Sequence, residues 1–212
     1  MTDQTGQAGL RICVVGDDLV AGVGDPKALG WTGRVGARTP PPAGGLALFP
    51  LGVPGEGTAG LLERWRPETT RRFAASADNR LVIGLGAADL DQGTTLARSR
   101  LNLANVLDDA AADSIGTFVV GPPPSQEAAR DVRVAELSSA FADVCHRRGV
   151  PYVDCHGPLT GHEQWFADLV DSPASGRTGW TFPEHPGQAG YGLIAWLVLH
   201  GGWHGWLGLP QT

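Results

Sequence analysis

The most informative stretch of the sequence is LRICVVGDDLVAGVGDP, which covers residues 10–26. It begins with Leu10–Val15, a mostly apolar run with β-branched side chains that is typical of a strand buried on both faces of a sheet. Two acidic residues, Asp17 and Asp18, follow this run after one glycine, and a glycine-rich segment comes after them. The pattern predicts a buried strand that ends in a polar loop, and loops of this kind commonly carry functional side chains.

The same alternation of short apolar runs and longer segments recurs along the chain. The apolar runs predict five strands, at Leu10–Val15, Ala47–Leu51, Arg80–Leu85, Gly116–Val120 and Val150–Asp154. The longer segments predict helices at Trp31–Arg38, Thr58–Phe73, Thr94–Ala112, Gln126–Arg148 and Gly187–Leu199. Strands and helices in this order predict an α/β fold, a three-layer α/β/α sandwich with a parallel five-stranded sheet of the flavodoxin-like kind.

The predicted helix Gln126–Arg148 has the clearest boundaries. Ser125 precedes it as a candidate N-cap, and Gly149 follows it as a C-terminal glycine should. Its apolar residues fall near helical spacing. These residues are Val132, Leu137, Phe141, Val144 and Cys145.

Composition places the chain among packed globular proteins. Hydrophobic residues make up 42% of the 212 residues and charged residues 18%, which excludes intrinsic disorder. The length favours one domain over residues 1–212 with a single core. We expect residues 1–9 to be a flexible N-terminus. The Gly- and Trp-rich tail at residues 201–212 is too rich in glycine for a clear helix, and we expect it to cover a neighbouring surface or a partner subunit.

Charge and cysteine usage exclude several classes of partner and compartment. The 22 acidic residues outnumber the 16 basic ones, giving a net charge of −6, so we expect no nucleic-acid partner. The three cysteines have no paired spacing and are typical of free thiols in a reducing compartment. The longest apolar run, Leu193–Leu199, is too short to cross a bilayer. We therefore expect a cytoplasmic protein that binds a small molecule, while its oligomeric state is left open.

Polar or glycine-rich segments follow three of the predicted strands, and a further one lies near the C-terminus. They are Gly16-Asp17-Asp18-Leu19, Leu51-Gly52-Val53-Pro54-Gly55-Glu56, Gly86-Ala87-Ala88-Asp89 and Glu184-His185-Pro186. In open parallel sheets, ligands bind beyond the carboxyl ends of the strands. We therefore expect these segments to meet at that edge and to form the functional site.

Taken in this order, the four segments resemble those of the SGNH hydrolases, the GDSL-type esterases and lipases, over nearly the whole chain. The first segment is most similar to that of short bacterial members, which reads G-D-S-hydrophobic-V-A-G-x-G-D-P. The resemblance implies a nucleophilic serine in the first block, an oxyanion hole completed by the glycine of the second and the asparagine of the third, and a base in a D-x-x-H motif. On this basis Gly55 matches the glycine of the second block, and His185 matches the base.

Three positions depart from the family pattern. Asp18 stands where the resemblance expects the serine, Ala88 where it expects the asparagine, and Phe182 where it expects the aspartate. An aspartate cannot form an acyl-serine ester, alanine has no side-chain donor for an oxyanion, and phenylalanine cannot orient an imidazole. The resemblance thus predicts the fold but not the serine-esterase mechanism.

The residues that remain favour an acid–base pair of Asp18 and His185. Such a pair predicts an enzyme that acts on a largely apolar small molecule by cyclisation, isomerisation, elimination or water-activated hydrolysis. Two alternatives stay open: an inactive protein of the same fold that binds a ligand or acyl group, and a residual ester hydrolase. Asp18 is also a candidate helix N-cap without a chemical role.

The walls of this site and its cofactor needs are also predicted. Four aromatic residues, Trp165, Phe166, Trp180 and Phe182, precede His185 and predict an apolar ligand surface. A metal site from Asp17, Asp18, Asp89 and His185 is conceivable, but no His-x-x-x-His or Cys-x-x-Cys spacing supports it, so we expect no metal and no cofactor. Asp17 and Asp89 are expected to brace their loops. Cys155-His156 is a poor candidate dyad because adjacent side chains at a strand end point apart.

Overall fold

A computed structural model describes residues 9–171 and 185–209. Its centre is one parallel sheet of five strands, in the order β2-β1-β3-β4-β5. The strands are β1 (Leu10–Gly16), β2 (Leu46–Gly52), β3 (Asp78–Gly84), β4 (Gly116–Val120) and β5 (Tyr152–Val153). The predicted α/β fold with a parallel five-stranded sheet is confirmed, and all five strands lie where the apolar runs predict them.

Helices cover both faces of the sheet. They are α1 (Asp18–Ala21), α2 (Gly30–Gly36), α3 (Thr58–Thr70), α4 (Ala88–Asp91), α5 (Leu96–Ala112), α6 (Ala128–His146), α7 (His156–Leu159), α8 (Glu163–Asp171), α9 (Gln188–Val198) and α10 (His204–Trp206). A π-helical turn, Leu199–Trp203, joins the last two. The short helices α1, α4, α7 and α10 and the helix α8 are additions to the sequence prediction.

Successive residues of each central strand pack into two separate hydrophobic cores, one on each face of the sheet. In β4, for example, Phe118 and Val120 belong to the core under α2, α8 and α9, whereas Val119 belongs to the core under α3, α5 and α6. This alternation follows from the pleat of a strand, which turns neighbouring side chains to opposite faces. It explains why the strands are apolar throughout, since neither face meets water.

The start of α6 corrects the sequence prediction. The helix begins at Ala128 with Glu127 as its N-cap, not with Ser125, because the Ser125 amide already donates to Asp131 in a turn before the helix. Val132 is 62% exposed, since the helix turns Val134 and not Val132 toward the sheet. Gly149 does follow the helix, with a φ of +64° that suits glycine at a helix end.

The C-terminal tail packs against the chain's own sheet. Trp203 is fully buried and lies edge-on to Phe118, with 5.5 Å between the ring centres. Its Nε1 donates to the Thr39 hydroxyl at 2.9 Å. The tail thus covers a neighbouring surface of the same chain, through helical turns that its glycine content does not predict. Within residues 9–171 and 185–209, no helix is long and apolar enough to cross a membrane.

Candidate active site

The junction of β1 and α1 brings the first acidic pair to the carboxyl edge of the sheet. Gly16 is required there, because a Cβ on it would lie 1.9 Å from the Gly84 carbonyl oxygen of the adjacent strand. Asp17 then caps α1, since its Oδ1 accepts from the Leu19 amide at 3.0 Å. Its Oδ2 accepts from the Gly86 amide at 2.7 Å. Asp17 therefore ties the end of β1 to the loop after β3, which agrees with its expected bracing role.

Asp18 and His185 lie in direct contact. The Nε2 of His185 is 2.9 Å from Oδ2 of Asp18, and the other oxygen, Oδ1, accepts from the Gly55 amide at 3.2 Å. Both side chains are buried, with His185 1% exposed and Asp18 7% exposed. Asp18 is the first residue of α1 and not its N-cap, so the alternative that it caps the helix is wrong, because Asp17 occupies that position. Three predicted site residues, Asp18, Gly55 and His185, thus meet at one point.

The surroundings of Asp17 and Asp18 shift the pKa values of the two carboxyl groups in opposite directions. Burial alone would raise the pKa of Asp18, but the hydrogen bond and charge of His185 and the Gly55 amide outweigh it and hold that pKa below its usual range. Burial, followed by the nearby charge of Asp18, raises the pKa of Asp17 well above its usual range. Asp18 is therefore the ionised carboxylate of the two, and a proton on Nε2 of His185 is donated to it.

The second ring nitrogen of His185 faces a different environment. Its Nδ1 is buried and has no hydrogen-bond partner among the residues that the structure describes. The predicted wall residues Trp180 and Phe182 lie outside the described residues, as does Glu184. Because only Nε2 has a described partner, which is Asp18, the described contacts orient the imidazole through one nitrogen.

A cleft of about 560 Å³, including the solvent at its mouth, opens beside Asp18. Most of the residues that line the cleft are apolar, or their polar groups already have hydrogen-bond partners. They are Asp17, Asp18, Leu19, Gly86, Ala87, Ala88, Pro123, Pro124, Ser125, Arg130, Val134, Trp165, Leu169 and Pro186. Of the predicted pocket residues, Trp165 and Ala88 line this cleft. Phe166 does not line it and packs instead, partly buried, against the core under α8 and α9.

The loop after β3 is held by Asp89. Its Oδ1 accepts from the Thr58 amide at 2.7 Å, and its Oδ2 accepts from the Thr58 hydroxyl at 2.9 Å. Asn102 donates to the same hydroxyl at 3.1 Å. Asp89 thus joins α4 to the start of α3, which agrees with the bracing role expected from the sequence, and it fixes Ala88 at the cleft.

Sequence reasoning missed three polar residues around the cleft. Arg64 holds Glu56 through its Nε at 2.6 Å and the Leu51 carbonyl through Nη2 at 3.0 Å, which fixes the backbone next to Gly55. Ser125 and Arg130 line the cleft from the side of β4. A signal for Ser125 exists in the sequence, since it follows a predicted strand closely, but its interpretation as a helix cap concealed it.

The described residues do not assemble the other chemistry weighed from the sequence. Among them, no three His, Cys, Asp or Glu side chains form a group that could hold a metal ion. Asp17 and Asp89 already accept backbone amides. Cys155 is fully buried, and burial raises the pKa of its thiol, while Nε2 of His156 lies 3.0 Å from Asp131. The Cys155 thiol is therefore held in its unreactive protonated form.

Solved structures with the same fold come from several bacteria. A lipase/acylhydrolase from Enterococcus faecalis superposes with a TM-score of 0.69 and 21% identity, over 96% of this chain and 98% of that one. An acetylxylan esterase from Geobacillus stearothermophilus gives 0.70 and 16%, over 92% and 94%. A lipolytic protein of the G-D-S-L family from Veillonella parvula gives 0.69 and 16%, over 90% and 97%. At these identities the similarity shows the fold alone.

Sequence comparison with family models gives the relationship directly. No significant match was found among curated proteins. The model of the GDSL-like Lipase/Acylhydrolase family, however, matches residues 14–193. This match covers well over half of the chain. It begins within β1, shortly before Asp18, and ends within α9, shortly after His185. The chain belongs to the GDSL-like lipase/acylhydrolase family.

Proposed function

We propose that this protein is an enzyme in which Asp18 and His185 transfer protons on a small, largely apolar molecule, without a serine acyl-enzyme. The observation that carries the proposal is the 2.9 Å contact between His185 Nε2 and Asp18 Oδ2 at the edge of an apolar cleft. A buried carboxylate that stays ionised beside an apolar cavity can accept a proton from a bound molecule, because little water competes for its charge.

The proposal departs from the serine mechanism at the positions that the family resemblance assigns. In that assignment Asp18 replaces the nucleophilic serine, Ala88 the oxyanion asparagine and Phe182 the aspartate of the base. For the acetylxylan esterase from Geobacillus stearothermophilus, catalytic mutants replace a serine and an aspartate by alanine. An aspartate at the first of these positions has no hydroxyl to acylate, so ester hydrolysis by that route is excluded for Asp18.

The hydrogen bonds of Asp18 also favour base chemistry over acyl transfer. In the resemblance the amide of Gly55 is an oxyanion donor, but here it donates to Asp18 Oδ1 at 3.2 Å. A tetrahedral oxyanion would lose this donor, and Ala88 offers no side-chain replacement. Loss of one such donor costs about a hundredfold to a thousandfold in rate. Isomerisation, elimination and cyclisation do not pass through a tetrahedral oxyanion, and they therefore suit the site better than hydrolysis.

The acceptor positions of Asp18 support a division of roles between the two residues. A carboxylate has about four acceptor positions, and the described partners of Asp18, which are His185, the Gly55 amide and its own amide, occupy three of them. The remaining position lets Asp18 accept a proton from a bound molecule. His185 donates to the carboxylate, keeps it ionised and fixes its orientation. Asp18 is thus the base, and His185 is the partner that sets its charge.

The same contact also favours a second candidate function, ligand binding without chemistry. Both oxygens of Asp18 have partners, and the pair joins α1 to the segment before α9, as a purely structural tie would. In that case the cleft holds a small molecule and leaves it unchanged. The two functions differ in whether removal of the Asp18 charge abolishes a reaction or only alters stability.

The test uses ring opening of nitrobenzisoxazole, a reaction that needs only a carboxylate base in an apolar cleft to remove a proton from carbon. We expect turnover by the wild-type protein and a loss of about a hundredfold or more in Asp18→Asn. Asp25→Asn is the matched control, because Asp25 is equally buried but lies outside the cleft. Turnover in the control should stay at the wild-type rate per folded molecule. Equal rates in wild type and Asp18→Asn would overturn the proposal.

Two further measurements separate this proposal from a serine enzyme. A fluorophosphonate probe should leave the wild-type protein unlabelled, and a labelled serine found by mass spectrometry would contradict the mechanism. The variants Asp18→Asn, His185→Gln and their combination should lose similar amounts of activity, because groups that act as one unit are not additive. Losses that multiply would show that the two residues act independently.

A further inference from the structure

Ser125 lines the same cleft as Asp18 and has no role in the function proposed above. It is 6% exposed, and its Oγ accepts from the Glu127 amide at 3.2 Å. Its own amide donates to Oδ1 of Asp131 at 2.9 Å. The two bonds fix the residue against the first turn of α6. Within the described part of the chain its hydroxyl proton has no acceptor, so that proton is available to a bound molecule.

Sheet order brings the segments that carry Asp18 and Ser125 to the same edge of the sheet. The two residues follow β1 and β4, which are separated only by β3 in the sheet. Two strand spacings of about 4.8 Å place the ends of β1 and β4 about 10 Å apart. Asp18, Ser125 and the loop Gly86–Ala88 after β3 all line the same cleft. A small molecule bound in this cleft would contact both side chains.

Several other polar groups on the cleft wall already have hydrogen-bond partners. The Gly86 amide donates to Asp17. Pro123 and Pro124 have no amide proton, and the Pro124 carbonyl accepts from the Trp165 indole at 3.2 Å. Arg130 holds Asp91 with both ends of its guanidinium group, and one of these contacts measures 2.7 Å. The Ser125 hydroxyl is thus a fixed neutral donor in the same cleft as the Asp18 carboxylate.

We infer that Ser125 binds the carbonyl oxygen of the substrate while Asp18 removes a proton from the carbon next to that carbonyl. The inference rests on the proposed base role of Asp18 and deepens it by naming the substrate class, a small and otherwise apolar carbonyl compound. It also selects a reaction among those that suit the site, namely isomerisation through an enolate. Ser125 then supplies the oxygen-binding donor that Gly55, which is bound to Asp18, does not.

The step is balanced without any co-reactant. The C–H bond next to the carbonyl breaks, its proton moves to the Asp18 carboxylate, and its electron pair moves onto the carbonyl oxygen as an enolate. The Ser125 hydroxyl donates to that oxygen throughout. Return of the proton from Asp18 to the same carbon re-forms the carbonyl, and in a substrate with a neighbouring double bond its return to the γ carbon re-forms the carbonyl and shifts that double bond. A hydrogen bond to such a charged oxygen is stronger than one to the neutral carbonyl, so it favours the enolate.

The test measures binding of para-nitrophenolate, whose charged oxygen mimics an enolate, to the Asp18→Asn protein. Asparagine mimics the protonated Asp18 of the enolate state and removes charge repulsion. Addition of Ser125→Ala should weaken phenolate binding by about tenfold to a hundredfold. Binding of the uncharged para-nitroanisole should change by less than about twofold. Ser125→Thr, which keeps the hydroxyl, should restore phenolate affinity.

Controls distinguish this inference from a structural effect and from the proposed function. Ser138→Ala removes an equally buried serine that bonds the Tyr152 hydroxyl away from the cleft, and it should leave both affinities unchanged. Ser125→Cys keeps the shape but weakens the donor, and it replaces the alanine variant if that variant does not fold. Equal losses for both ligands, or none, would overturn the role of Ser125. Because the binding assay already lacks the Asp18 charge, its outcome is independent of whether Asp18 is a base.

Discussion

Two buried carboxylates in the segment after β1, Asp18 and Asp25, have the same residue type and similar burial but different surroundings. Asp25 is surrounded by donors: its Oδ1 accepts from the Lys27 amide at 3.1 Å and its Oδ2 from the Gly30 amide at 2.9 Å. The guanidinium of Arg34 donates to both oxygens. The Asp18 carboxylate has two amides, one imidazole and a cleft beside it. The two carboxylates therefore differ in how many of their hydrogen-bond acceptor positions remain unfilled.

Donor count separates a carboxylate that holds structure from one that can react. Asp25 has its acceptor positions filled by fixed backbone amides and by a cation that never loses its charge. These donors hold its pKa below the usual range despite its burial. Asp18 reaches a lowered pKa mainly through the hydrogen bond and charge of His185. A buried carboxylate with an unfilled acceptor position beside a cleft is therefore the better candidate for chemistry.

The largest expected effect comes from removing the cationic partner of each pair. Arg34→Met leaves Asp25 buried without its cation and should lower the free energy of unfolding by about 3–5 kcal/mol. His185→Gln keeps a donor near Asp18 and should cost about 1 kcal/mol. Urea unfolding followed by circular dichroism measures both losses. Arg38→Met, an exposed change near the same helix, should stay within about 0.5 kcal/mol of wild type. A larger loss in His185→Gln than in Arg34→Met would reverse the comparison.

The second effect concerns the Gly55 amide that donates to Asp18. Gly55 has a φ of +75°, a conformation that costs other residues about 1–2 kcal/mol. Gly55→Ala should therefore lower the free energy of unfolding by about 1 kcal/mol and should also disturb the amide that donates to Asp18. Gly45→Ala is a matched control, because Gly45 has a φ of +85° and open space around it. Both variants should lose similar stability, but only Gly55→Ala should slow nitrobenzisoxazole ring opening.

The sheet was predictable because each strand is apolar on both faces. Burial under two helical layers leaves no polar alternation, so runs such as Leu81–Ile83 are readable without any partner. The buried face of α6 was harder to predict from the sequence. Val132 is apolar yet lies on the solvent side, while Val134 is buried. Helix α8 was missed because nine residues rich in aromatic side chains are too few to define a helical period.

The site was only partly predictable, since its members are distant in sequence. Asp18 and His185 are separated by most of the chain, and no local pattern pairs them; the family resemblance did so. The direction of the Gly55 amide toward Asp18 depends on a turn of positive φ and on the Arg64 contact behind it. Ser125 entered the cleft through a bend before α6 that cap preferences alone do not specify. Motifs thus located the strand ends, while packing chose which polar atoms remained available.

The smallest expected effect is the pH dependence that His185 gives to Asp18. The pKa of Asp18 is lower in the folded chain than its unfolded value of about 3.9. The charged group therefore stabilises the fold above about pH 4, and this contribution is lost as pH falls through the folded pKa. The gap in free energy of unfolding between wild type and Asp18→Asn should then be widest well above pH 4 and should narrow in acid. Asp108→Asn, which breaks an exposed pair with Arg148, is the control. Its gap should vanish in about 0.5 M salt, whereas screening should leave the buried Asp18 gap largely intact.

A gap for Asp18→Asn that widens in acid would mean that burial outweighs His185 in the folded protein, and Asp18 would then be protonated and unable to act as a base.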